Sequence, residues 1–167
     1  DGVMADFMGH VYETVKAETD RQYCHADTVD YWFNDCPDKA LFLDIMNRQG
    51  TYRHLGVISG AREAIARLRE DYDVVVCSAP PQHSKTAEDE KREWLAEYFD
   101  AELAEQAIIT RDKHLAIWRV LIEDNPHINR DANWRPLIFD QAWNRDVNDL
   151  PVMYGWHDLG VVRKLMQ

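Results

Sequence analysis

The strongest constraint on this chain is a repeated pairing of an amphipathic helical segment with a short apolar run that stops at a polar or charged residue. "SGAREAIARLRED" sets Ala64, Ile65 and Leu68 on one helical face, with Ser59 as the expected N-cap. It leads into "YDVVVCSAPP", where three valines form a β-branched run halted by Ser, Ala and two prolines. "TAEDEKREWLAEYF" is a further amphipathic helix, with Trp94, Leu95, Tyr98 and Phe99 inward and Thr86 near its cap. "AIIT", "WRVLIED" and "RPLIFD" are three more apolar runs closed by polar residues. Helices that alternate with buried strands predict an α/β fold with a doubly wound parallel sheet.

The chain opens on "DGVMADF", an acidic turn that runs straight into a helix with Phe7, Met8, Val11, Tyr12 and Val15 on one face. A strand-to-helix turn needs a strand in front of it, so an apolar strand is expected ahead of Asp1. Residues 19–56 break the rhythm; they are polar, aromatic and helical in pattern, and read as an inserted cap. That leaves 1–18 and 57–167 as the α/β core. With 167 residues and 46% hydrophobic content, one core is the expected number.

A net charge of −11 repels polyanions and argues against a nucleic acid polymer as partner. No stretch of the sequence is apolar enough to span a bilayer, so no membrane partner is expected. Three cysteines, Cys24, Cys36 and Cys77, lack disulfide-framework or metal-ligand spacing. A reducing setting is expected, cytoplasmic first with an organelle left open, and a homodimer stays open.

In open parallel sheets, ligands bind beyond the carboxyl ends of the strands. The polar residues at those ends are Asp1, Ser78, Lys113, Glu123 and Asp124. A hydroxyl and an ammonium suit phosphate oxygens, and carboxylates suit Mg2+, a hard cation with oxygen ligands. An acidic pair after "VLI" is costly unless paired or metal-bound.

The order of acidic turn, Ser after a β-run, Lys, then acidic pair resembles the four motifs of the haloacid dehalogenase superfamily. "DGVMADF", "YWF", "CSAPP", "ITRDK", "LIEDNP" and "NWRPLIFDQAWN" together resemble the 5′(3′)-deoxyribonucleotidases, the cytosolic and mitochondrial pyrimidine nucleotidases and their microbial relatives, over nearly the whole chain. The resemblance implies a Mg2+-dependent phosphomonoesterase acting on a small-molecule nucleotide, a deoxypyrimidine one by preference, through an aspartyl-phosphate. It puts the nucleophilic aspartate two positions before Asp1. Asp1 becomes the acid-base group and a metal ligand through its carbonyl. Ser78 and Lys113 hold phosphate, Asp124 ligates Mg2+ directly, and Glu123 is a further or alternative ligand. Ala79 and Arg111 lie on the phosphate side.

The resemblance implies a base pocket at Phe7, Tyr31, Trp32 and Phe33. Three consecutive aromatics cannot share one helix face, so at least one packs inside the cap. The chain departs from the family pattern at Ser78-Ala79, where Thr-Ser is usual, and at Glu123-Asp124, where two aspartates are usual. These changes bear on affinity and substrate range. Two other readings stay open: a phosphatase for another small phosphate ester, and a nucleotide-binding module without turnover if the upstream aspartate is absent. His83 and His114 read as surface residues, and Trp118, Trp134, Trp143 and Trp156 as packing.

Overall fold

The computed structural model describes residues 1–113 and 118–167. Its first element is a two-residue strand, β1 (Ala5–Asp6), paired antiparallel with β2 (Gly56–Val57). Nothing in the sequence pattern announced this pair. It forms where the chain leaves for the helical segment and where it comes back, so the two crossings pair with each other. Helix α1 (Phe7–Thr19) starts at once, because the Asp6 carboxylate accepts the Gly9 N–H at 2.9 Å as an N-cap. Its buried face is Phe7, Met8, Val11, Tyr12 and Val15, as the spacing predicts.

Between α1 and β2 lie a 3-10 turn (His25–Asp27), helix α2 (Lys39–Asn47) and a second 3-10 turn (Tyr52–His54). The segment expected to form the cap is thus helical in part, with loop and turns between these pieces. Phe42 of α2 is fully buried and meets the rings of Tyr12, Tyr23 and Phe33. The buried residues of this segment belong to one cluster with those of the α/β body.

Helix α3 (Ala61–Asp71) buries Ala64, Ile65 and Leu68. Its N-cap is Gly60 at φ 80°, not Ser59, because the chain enters through a left-handed turn that glycine adopts without cost. β3 (Cys77–Ser78) follows and pairs in parallel with β4 (Ile108–Ile109). Between them stand α4 (Ala87–Tyr98) and a short α5 (Ala101–Gln106). Thr86 does sit at the start of α4, but the oxygen that accepts the Ala87 N–H is Ser84 Oγ at 3.2 Å. β5 (Val120–Glu123), β6 (Arg135–Phe139) and β7 (Val152–Met153) form a second parallel ladder, and α6 (Leu159–Met166) closes the described chain.

The protein is therefore a mixed α/β fold with parallel strands, in two ladders with a gap between them. Residues 74–76 of the valine run are only half-buried. They and β5 both line an apolar channel of about 220 Å3, with Leu68 of α3 and Val162 of α6 also in its lining. Asp1, Ser78 and Asp124 lie on the same channel. Among the described residues, no helix is long and apolar enough to cross a membrane.

Helix α4 ties the helical segment to the body. Its inner face carries Ala87, Glu90, Lys91, Trp94 and Leu95. The Glu90 side chain, in a residue only 1% exposed, accepts the backbone N–H groups of Gly50 at 2.7 Å and Tyr52 at 3.0 Å. The Trp94 indole donates to the Leu55 carbonyl at 2.7 Å. Glu90→Leu should lower unfolding free energy by about 3 kcal/mol, since it strands two buried donors that a charged acceptor now satisfies. Glu90→Gln, which keeps an acceptor, should cost less, and denaturant titration of both variants checks the order.

Candidate active site

Gly2 makes the opening turn possible. Its φ is +77°, and a Cβ built on it would stand 2.4 Å from Asp124 Oδ2. Only a residue without a side chain lets the turn lie against the Asp124 carboxylate. The loop after β6 holds both partners: Gln141 donates to the Gly2 carbonyl at 2.6 Å, while Asn144 and the Trp143 indole donate to the Asp124 carbonyl at 2.9 and 3.1 Å. Trp143 is thus a hydrogen-bonding brace as well as a packing residue. Trp156 likewise both packs on Phe139 and donates to the Val3 carbonyl at 2.7 Å.

The structure brings Asp1, Ser78, Lys113, Glu123 and Asp124 together on one channel. It adds a residue that the sequence reading missed. Lys91 is 5% exposed; its ammonium pairs with the Asp1 carboxylate, donates to Ser78 Oγ at 2.8 Å and lies 4.4 Å from the Tyr52 ring centroid. A signal for it existed, because positions 87, 90, 91, 94 and 95 form one helical stripe, and charges on an apolar stripe are there for a reason. Burial, reinforced by Lys113, pulls the Lys91 ammonium down to about 7, while the contact with Asp1 favours its charged form.

Lys113 pairs with Glu123. Burial opposes charge on both, yet each holds the other ionised: Glu123 raises the lysine, and Lys113 lowers the carboxyl. For Asp124, burial and the neighbouring Glu123 outweigh the pull of Lys113 and push it up to about 7. Among the described residues, no group of three His, Cys, Asp or Glu side chains converges to hold a metal. Mg2+ needs no such cage, since it keeps several waters and takes one or two carboxylates with substrate oxygens. The buried Asp124 carboxylate, on one channel with Asp1, fits that demand.

The remaining expected site residues divide. Ala79 is exposed at the end of β3, directly after Ser78, and offers only its backbone. Arg111 is exposed and donates to the Pro80 carbonyl at 3.1 Å, which braces the same loop. Phe7 is buried and stacks on Tyr52 at 5.9 Å, behind Lys91. Tyr31 is half-buried; burial first, then the charges of Asp124 and Glu123, push its phenol up. Trp32 is exposed near it. Phe33, expected in the base pocket, instead packs inside the helical segment, 7% exposed and edge-on to Phe42. The reason is local: Phe33 adopts φ 58°, and this turn sends three neighbouring rings in different directions. His83 is exposed, and His114 lies outside the described residues.

Comparison with known proteins gives a consistent result. The family described as 5′ nucleotidase, deoxy (pyrimidine), cytosolic type C protein matches residues 1–166. A Bordetella bronchiseptica protein provisionally named a 5′(3′)-deoxyribonucleotidase is 33% identical over 165 residues, covering 90% of this chain and 86% of its own. The human protein named 5′(3′)-deoxyribonucleotidase, mitochondrial, is 27% identical over 176 residues, covering 95% of this chain and 76% of its own. A Staphylococcus epidermidis protein of the same provisional name is 25% identical over 163 residues, or 95% of this chain and 89% of its own.

The Gly2 contact generates a test of the site's construction. Gly2→Ala should displace the Asp124 carboxylate and cost about 1–3 kcal/mol through the left-handed backbone. A crystal structure of the variant, with a denaturant melt, checks both; an unmoved Asp124 would refute the packing argument.

Proposed function

Because the chain belongs to the family of deoxy (pyrimidine) 5′-nucleotidases of cytosolic type C, we propose that it is a Mg2+-dependent phosphomonoesterase that hydrolyses nucleoside monophosphates, deoxypyrimidine ones foremost, through an aspartyl-phosphate. The observation that carries this reading is the convergence of Ser78, Lys91 and Lys113 with Asp1, Glu123 and Asp124 beside one channel. Residues 19–56 act as the cap over a core of 1–18 and 57–167.

The nucleophile is the aspartate expected two positions ahead of Asp1. Asp1, Ser78 and Asp124 share the lining of one channel, which supports a phosphate site at that place. The nucleophilic carboxylate attacks phosphorus, the bond from phosphorus to the nucleoside oxygen breaks, and Asp1 gives the leaving oxygen its proton. Asp1 then takes a proton from the water that cleaves the acyl phosphate, which frees phosphate and restores the carboxylate. Ser78 donates to a phosphoryl oxygen, and Lys91 and Lys113 neutralise the others. An incoming phosphate dianion competes with Asp1 for Lys91, which frees Asp1 to carry the proton. Asp124 and the Asp1 carbonyl would hold Mg2+, with Glu123 as a further ligand; when bound, the ion offsets charge on the transferring group.

Phosphate release from a panel of nucleoside monophosphates and small phosphate esters tests the reading on the full-length protein. Activity should vanish in chelator and return with Mg2+, and Asp124→Asn should weaken Mg2+ activation by at least about 10- to 100-fold. Activity retained in chelator would overturn the metal assignment, and nucleotide binding without turnover would favour a silent binding module. Trp32→Ala should lower kcat/KM for a deoxynucleotide by roughly 5- to 150-fold, the worth of one base-stacking contact. Phenyl phosphate should lose far less; equal losses would make Trp32 a packing residue.

A further inference from the structure

One aromatic stack links the helical segment to the loop that follows β5. The Trp32 ring, on a residue 57% exposed, lies nearly parallel to the imidazole of His127, with centroids 6.2 Å apart and planes at 13°. Tyr31 meets both rings edge-on, at 4.9 Å from Trp32 and 6.1 Å from His127. His127 is exposed, three residues beyond Asp124, and its N–H donates to Asn125 Oδ1 at 2.9 Å in the intervening turn. The turn that follows the acidic pair therefore sets the imidazole's position.

Trp32 is held as firmly from the other side. Its N–H donates to Asp30 Oδ1 at 2.7 Å, and the same oxygen accepts from both nitrogens of Asn34. The next residue, Phe33, adopts a left-handed backbone that a bulky side chain rarely takes, and burial against Phe42 fixes it there. A backbone outlier that keeps a large ring in solvent, stacked on a residue from another part of the chain, points to a role in binding.

We propose that His127 is the second wall of the base site: the base of the bound nucleotide enters between Trp32 and His127, which close on each other when it is absent. The inference rests on the nucleotidase reading and adds a residue to it. A planar ring sandwiched between two others needs about 7 Å between the outer planes, two contacts of about 3.5 Å. The two rings already lie nearly parallel, with centroids 6.2 Å apart and planes at 13°, so a parting of cap and core admits a base between faces that are aligned for it. Tyr31, edge-on to both rings, forms one side of the clamp. The clamp recognises a flat heteroaromatic group and grips it at a distance from phosphate fixed by the turn after Asp124.

Steady-state kinetics of His127→Ala, His127→Asn and His127→Phe on a deoxynucleoside monophosphate and on phenyl phosphate test the clamp. The Ala and Asn variants should raise KM for the nucleotide on the order of 5- to 20-fold, with kcat moving far less. The ratio of kcat/KM for nucleotide over phenyl phosphate should fall by the same factor. His127→Phe, which keeps a ring, should restore KM; rescue by Asn instead would assign the effect to hydrogen bonding and overturn the stacking role. Turnover of nucleotide with an unmoved KM in His127→Ala would refute the clamp alone. No turnover of any nucleotide by the wild-type protein would refute the nucleotidase reading beneath it.

Discussion

The ammonium of Lys91 is the contact through which the site and the fold depend on each other. A buried charge costs several kcal/mol unless it is paired, and here the pairing comes from three separate places: the opening turn through Asp1, the end of β3 through Ser78, and the helical segment through the face of Tyr52. Its neighbour Glu90 makes the complementary contact, binding the N–H groups of the returning loop. Helix α4 thus uses two adjacent charges on its inner face to set the reactive turn and the helical segment in register with the strands.

Charge balance around this point explains why an acidic protein can take an anionic substrate. Lys91 pairs with Asp1 and Lys113 with Glu123, so among the described residues neither lysine forms its ion pair with Asp124. The elevated affinity of Asp124 for a proton follows from burial beside Glu123. A divalent cation and a phosphate dianion together add no net charge, so the pair can enter a site that neither would enter as easily alone. The overall charge of −11 then disfavours long polyanions without closing the pocket to a mononucleotide.

The aromatic run at Tyr31, Trp32 and Phe33 shows how one strained residue distributes function. With Phe33 in a left-handed conformation, its ring turns into the helical segment, Tyr31 stands half-buried and edge-on to Trp32, and Trp32 is left at the surface beside His127. On a regular helix the three would point about 100° apart in fixed order, and the core-side loop would have no ring to meet.

Much of this was legible in the residues themselves. The apolar faces of α1, α3 and α4 follow the 3.6-residue period, and the strand-end residues Ser78, Glu123 and Asp124 follow runs of Val, Ile and Leu, because burial of one face dictates the spacing locally. The two-residue strands β1, β2 and β7 were not legible, since two residues carry no period. The order of polar residues along the chain by itself determined which groups reach the strand ends. Only the tertiary structure decided which of them touch: Lys91 and Asp1 are 90 positions apart, and Trp32 meets His127 from another part of the chain. Periodicity reports which way a side chain faces, whereas its partner is set by the packing of whole elements, which no local pattern encodes.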